Sequence, residues 1–283
     1  MRQVIRFGYD GTAFYGWARQ TQLRTVEGEI RRGLLRLGIC ERAEAPKVEV
    51  ASRTDRGVSA RANALVLESR FPPHVVLRAL NGAAPEIYFT AATRVGPEFR
   101  VRSALRRQYR YFEPPGPHDI TRWRRASELL MGDIDVRSFG RGVPVDRPAV
   151  RTVDSIEIRS HEGGLVIDVV GRSFVWNQVR KMVAALRAVE AGDLSEPRLR
   201  AATRGEERIS LPLAEPERLV LWEVALPVTW EVLWRGPNRR QREYFEGSRA
   251  GAWARVQVLS EMMMEEGPPV SPPAPSAPAS GRH

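Results

Sequence analysis

Residues 47–68 read KVEVASRTDRGVSARANALVLE, and the reading of this stretch decides the fold. Residues 47–52 alternate as a strand and 62–68 form a second, with a charged, glycine-containing connection between them. Upstream, residues 3–9 make a short strand ended by the turn dipeptide Asp10-Gly11. A helix over 26–37 separates that strand from the stretch. Thr25 caps it, Glu27 and Glu29 suit its positive N-terminus, Val26, Ile30, Leu34 and Leu37 give one apolar stripe, and Gly38 stops it. Downstream, Pro73 opens a short helix through Leu80 that closes near Gly82, and residues 87–95 supply the last strand. The order is β-α-β-β-α-β.

The second half repeats that order. Residues 107–113 read as a strand and 123–131 as a helix. Residues 150–159 and 165–171 are paired strands joined by His161-Glu162-Gly163-Gly164, then a helix over 174–190 and a strand over 219–226 follow. The expectation is an α+β fold of two ferredoxin-like halves, 1–105 and 106–227, packed side by side around a central basic cleft. Residues 228–266 read as a partly helical C-terminal extension. Residues 267–283 (GPPVSPPAPSAPASGRH) are too rich in Pro, Ala and Ser to bury a core and are expected to be disordered.

Composition narrows the function. Of 283 residues, 44 are Lys or Arg and 34 are Asp or Glu, a net charge of +10 that points toward a polyanionic partner. Arg replaces Lys almost throughout, with only Lys47 and Lys181 left, as a GC-rich genome dictates; that bias does not explain the basic excess. No apolar run approaches a membrane span, and the charged start MRQVIRFGYDG is no secretory signal. Cys40 alone precludes an internal disulfide and suits a reducing cytoplasm, while four scattered histidines offer no zinc spacing. No metal or cofactor is expected.

Chemistry concentrates in Ser52-Arg53-Thr54-Asp55-Arg56-Gly57-Val58, at the end of the 47–52 strand. Gly57 permits a sharp turn that presents Asp55. Arg53 and Arg56 flank the carboxylate and favour its ionised form, as a covalent nucleophile requires. An Arg–Asp pair ordering a surface turn has the same signature, and the residues alone leave both readings open.

Arg53-Thr54-Asp55-Arg56-Gly57-Val58 resembles the R-T-D-x-G-V motif of the tRNA pseudouridine synthase A family. Three further segments match in the family's order: Tyr9-Asp10-Gly11-Thr12-Ala13-Phe14-Tyr15-Gly16-Trp17, Arg107-Gln108-Tyr109-Arg110-Tyr111, and Phe174-Val175-Trp176-Asn177-Gln178-Val179-Arg180. The resemblance covers about residues 1–226. It implies that Asp55 is the catalytic aspartate, Arg180 its basic partner, Tyr109 the active-site aromatic and Leu221 a pocket-lining leucine, with Arg53 beside the substrate. It further implies a homodimer that converts uridine to its carbon-linked isomer in the tRNA anticodon stem-loop, at positions 38 to 40. Whether base or sugar is attacked first stays open. Without the resemblance, Tyr109 and Leu221 read equally as core, and Arg180 as an exposed helix residue.

The sequence departs from the bacterial pattern at Ser52, Arg56, Ser59 and Val220, which bears on which uridines are modified. Arg19, Arg24, Arg56, Arg61, Arg106, Arg107 and Arg110 lie near or inside these motifs, where they can meet RNA phosphates or stay solvated. Phe14, Tyr15 and Trp17 either stack on bases or pack their loop. A rival of another class is a pair of RNA-binding RRM-like domains. It requires aromatics in the third strand of each half, and residues 65–68 and 165–168 have none.

Overall fold

A computed structural model describes residues 1–39, 48–144, 146, 149–234 and 236–263. Lys47 of the expected 47–52 strand, Cys40 and the 267–283 tail lie outside the described residues. The chain is a mixed α+β protein. Residues Met1–Gln241 form one compact unit and Arg242–His283 a second.

The first half of the larger unit runs β1 (Arg2–Tyr9), α1 (Val26–Arg36), β2 (Glu49–Val50), β3 (Ser59–Glu68), α2 (Pro73–Leu80) and β4 (Ile87–Arg94). Thr25 Oγ1 accepts from the Gly28 amide at 3.2 Å and fixes the start of α1, whose Val26, Ile30 and Leu34 are buried. The second half runs β5 (Arg106–Glu113), α3 (Ile120–Glu128), β6 (Gly132–Asp135), β7 (Val150–His161), β8 (Gly164–Gly171), α4 (Gln178–Ala191), α5 (Glu196–Thr203) and β9 (Leu219–Ala225). Glu162 (φ 49°) and Gly163 (φ 78°) close the β7–β8 hairpin in two residues, as the expected connection requires. β10 (Val232–Leu233) and α6 (Arg239–Met263) follow.

Three details differ from the sequence reading. α3 begins at Ile120 because Asp119 Oδ1 accepts from the Arg122 amide at 3.0 Å. α4 begins at Gln178, four residues late, because Asn177 takes a left-handed φ of 69°. β6, β10 and α5 carry no strong sequence signal and were not expected.

The strands form one ten-stranded sheet in the order β10-β4-β1-β3-β9-β5-β8-β7-β6, with β2 beside β3. One edge of β3 is shared. Its far end pairs with β2 (Glu49 opposite Val66), and its start pairs in parallel with β9 (Ser59 opposite Val220, Ala60 opposite Leu221). The halves therefore meet where β2 gives way to β9, and the segment between β2 and β3 is driven out of the sheet at that seam. Fully buried Phe7, Phe89, Leu65 and Leu77 pack the first half, with Tyr111, Trp123 and Phe139 in the second. Gln241, wholly buried, donates to Asn81 Oδ1 (3.1 Å) and the Ile87 carbonyl (2.9 Å), tying the start of α6 to the first half.

Candidate active site

The displaced segment, residues 51–58, is held on every side. Tyr9 Oη and Thr54 Oγ1 hydrogen-bond at 2.7 Å in the core, and the Trp17 amide donates to the Thr54 carbonyl at 3.0 Å. The Gly11 amide donates to Ser59 Oγ at 2.9 Å. The Tyr9–Trp17 motif is thus a cradle for the Asp55 loop. Gly57, at φ 83°, makes the turn that the sequence assigns to it. Phe14 and Trp17 are each 2% exposed and pack the core, whereas Tyr15 is exposed beneath the Arg56 guanidinium, 4.5 Å from its ring centre.

Arg107 reaches the cleft wall with only a small part of its surface, and its guanidinium is committed to the protein rather than open to a phosphate. It is buried, and its guanidinium donates to Ser52 Oγ (2.8 Å) and to the carbonyls of Ala51 (2.9 Å), Arg102 (2.8 Å) and Arg172. Burial lowers its pKa, but a guanidinium stays charged through the physiological range. Its role in the fold is to staple the root of the Asp55 loop to β5.

Asp55 projects into a cleft of about 1180 Å³ that Tyr109, Arg180, Arg53 and Arg56 also line. Each carboxylate oxygen has one partner. Trp176 Nε1 donates to Oδ1 at 2.7 Å, and Arg180 Nη1 lies 3.4 Å from Oδ2. The Arg180 side chain is 12% exposed and Asp55 29%, so screening by water weakens the pair only in part. Arg180 Nε donates at 2.6 Å to the Ala214 carbonyl, which aims the guanidinium at Asp55. Tyr109 is 9% exposed, with its ring edge-on to Phe174 at 5.4 Å between centres. Burial raises the pKa of its phenol and outweighs the Ser52 hydrogen bond and the Arg107 charge; Asp55 pushes the same way. The hydroxyl is therefore protonated at neutral pH. Six arginines line the cleft (Arg53, Arg56, Arg102, Arg107, Arg141 and Arg180) against two carboxylates, Asp55 and Glu217, which suits a polyanion. Among the described residues, no cluster of His, Cys, Asp or Glu could hold a metal ion.

Other expected residues lie elsewhere. Leu221 is fully buried in β9 and does not line the cleft; Leu219, two residues back on the same face of the strand, does. Along β5 the odd residues Arg107, Tyr109 and Tyr111 are buried on the site's face, which puts Arg106 and Arg110 on the opposite one. Arg110 is held there by Asp168 through two 2.8 Å bonds and lies over Trp222. Arg61 shares that Trp222 ring, and Arg24 is paired with Glu29 and Glu86. Arg19 is exposed but not part of the cleft wall. Trp176 and Arg141 are the additions that the sequence reading missed. The Trp stood in plain view within the 174–180 motif, but its 121-residue separation from Asp55 hid the contact.

Asp55, the neutral Tyr109 phenol and the partly buried Arg180 guanidinium thus share one arginine-lined cleft. A family model described as tRNA pseudouridine synthase matches residues 126–227. A tRNA pseudouridine synthase A of Thermococcus kodakarensis is 35% identical over 94% of this chain and all of its own length. Enzymes of the same name from Thermococcus onnurineus and Pyrococcus furiosus are 38% and 36% identical, each over 79% of this chain and 84% and 83% of their own. The chain belongs to the tRNA pseudouridine synthase A family. A solved Cbf5-Nop10-Gar1 complex aligns at a TM-score of 0.35 and 13% identity, over 65% of this chain and 53% of that one, too distant to bear on the site.

Proposed function

We propose that this protein isomerises uridine to pseudouridine in the tRNA anticodon stem-loop, at positions 38 to 40, with Asp55 as the nucleophile. The observation that carries the reading is the Asp55 carboxylate, held at a seam of the sheet by Arg180 (3.4 Å) and Trp176 (2.7 Å) and facing a basic cleft. The reaction breaks the C1′–N1 bond, turns the base and forms C1′–C5; the C5 proton leaves and N1 regains one, so nothing is oxidised or reduced. A base in a stem must first leave its stack, and Tyr109 in the wall of the cleft is suited to hold it. The cleft arginines Arg53 and Arg56 engage backbone phosphates without reading sequence.

Each half reads as ferredoxin-like: strand orders β4-β1-β3-β2 and β9-β5-β8-β7 have the same pattern of first, second, third and last strand. A homodimer working in the cytoplasm follows from the family resemblance, and no helix among the described residues is long and apolar enough to cross a membrane. Treating unmodified tRNA with the purified protein and mapping pseudouridine by position tests the substrate assignment. Modification confined to the anticodon stem-loop is expected; modification only in other arms, or none, contradicts it.

A further inference from the structure

Trp176 is the most exposed large aromatic in the cleft wall, at 54%, and its position is built rather than incidental. The chain reaches it through a strained turn. Asn177 sits at φ 69°, in the left-handed region that non-glycine residues rarely enter, and strain of that kind gathers at functional sites. The turn is braced from inside by Gln178 Oε1, which accepts from the Val175 amide at 2.9 Å. It is braced from outside by the Arg141 amide, which donates to the Trp176 carbonyl at 2.9 Å. That second brace needs close approach: a Cβ on Gly140 would lie 2.5 Å from Val175 Cγ2 and 2.4 Å from Val143 Cγ2. The Arg141 guanidinium then covers the indole, 4.6 Å from its ring centre, while Nε1 reaches Asp55 Oδ1.

We propose that Trp176 is a positioning residue for the nucleophile and, at the rim of the cleft, the platform on which a nucleobase flanking the target uridine stacks. The inference rests on the reading of Asp55 as the nucleophile. Arg180 alone leaves the carboxylate free to turn about its own axis; a second donor on the other oxygen fixes the plane from which it attacks. Tyr109, at 9% exposure, forms the floor that meets the target base. Trp176 stands open above it, with a cation on one face that strengthens stacking with an electron-rich base.

The two roles separate in kinetics on an unmodified tRNA transcript. Trp176→Phe keeps an aromatic ring and loses the N–H, so kcat is expected to fall about tenfold with KM within about twofold of wild type. Trp176→Ala loses both, so the same fall in kcat comes with a rise of about tenfold in KM. Gly140→Ala displaces the turn and with it the Nε1–Asp55 contact while keeping the indole side chain itself, and is expected to reproduce the kcat loss of Trp176→Phe. Wild-type kcat in Trp176→Phe or in Gly140→Ala overturns the positioning role, and wild-type KM in Trp176→Ala overturns the stacking role. Asp55→Ala, run in parallel, separates the two layers: turnover there contradicts the nucleophile itself, whereas its loss beside a fully active Trp176→Phe contradicts only the inference about Trp176.

Discussion

At the scale of single residues, Asp55 is defined by what it cannot do: neither oxygen is free to wander. An ion pair this near solvent contributes little to stability, so its value lies in orientation. Tyr109 is defined by the opposite constraint. Buried against Phe174, with a pKa pushed upward, its phenol has no capacity to take up a proton at neutral pH, and its ring is the larger asset. Tyr109→Phe should therefore keep most of the turnover, while Tyr109→Ala should lose about tenfold or more. Pseudouridine formation on unmodified tRNA measures the difference, and equal, severe losses in both would assign the hydroxyl a proton-transfer role instead. The motif residues were legible in the sequence because their types are unusual together. Their partners were not legible from the residues alone: Arg180 came through the family resemblance, and Trp176 not at all. The Arg180 contact spans 125 residues and the Trp176 contact 121, and no periodicity records such distances.

At the scale of elements, the segment between α5 and β9 matters as much as either. Its Ala214 carbonyl aims Arg180, and the next residue, Glu215, is anchored to Arg187 at 2.8 Å and to the Tyr111 hydroxyl at 2.9 Å. Burial pushes the Glu215 carboxyl up, but the Arg187 bond, a backbone bond and the Tyr111 bond outweigh it and hold the pKa at about 2. A carboxylate with a depressed native pKa stabilises the fold above its ordinary 4.5, and that contribution fades as pH falls toward 2. Glu215→Gln should accordingly lower Tm at neutral pH and flatten its decline between those two values. Thermal melts across the acid range check this, and parallel declines in both proteins would remove the linkage. Strands and helices with clear periodicity were readable in advance. β6 was not, because Gly-Asp-Ile-Asp is a strand only through its pairing with β7. The start of α4 was misjudged because Phe174, Val175 and Trp176 fit a helical pattern that Asn177 breaks.

At the scale of the whole molecule, the sheet brings two motif-bearing halves together and leaves the Asp55 loop at their junction. The basic excess promised a polyanion, but it did not say which arginines would face one. Strand alternation turned Arg106 and Arg110 to the far face, carboxylates claimed Arg24 and Arg110, and burial claimed Arg107. Arg53 and Arg56 remain at the cleft with Asp55 between them. For this function Asp55 must do chemistry rather than order a turn. Forming the C1′–C5 bond expels the hydrogen at C5, so tritium release from tRNA labelled at C5 of uridine reads the reaction directly. Wild-type protein should release tritium in step with pseudouridine formed, and Asp55→Ala should release none while binding the same tRNA with undiminished affinity; sustained release by Asp55→Ala would contradict the account.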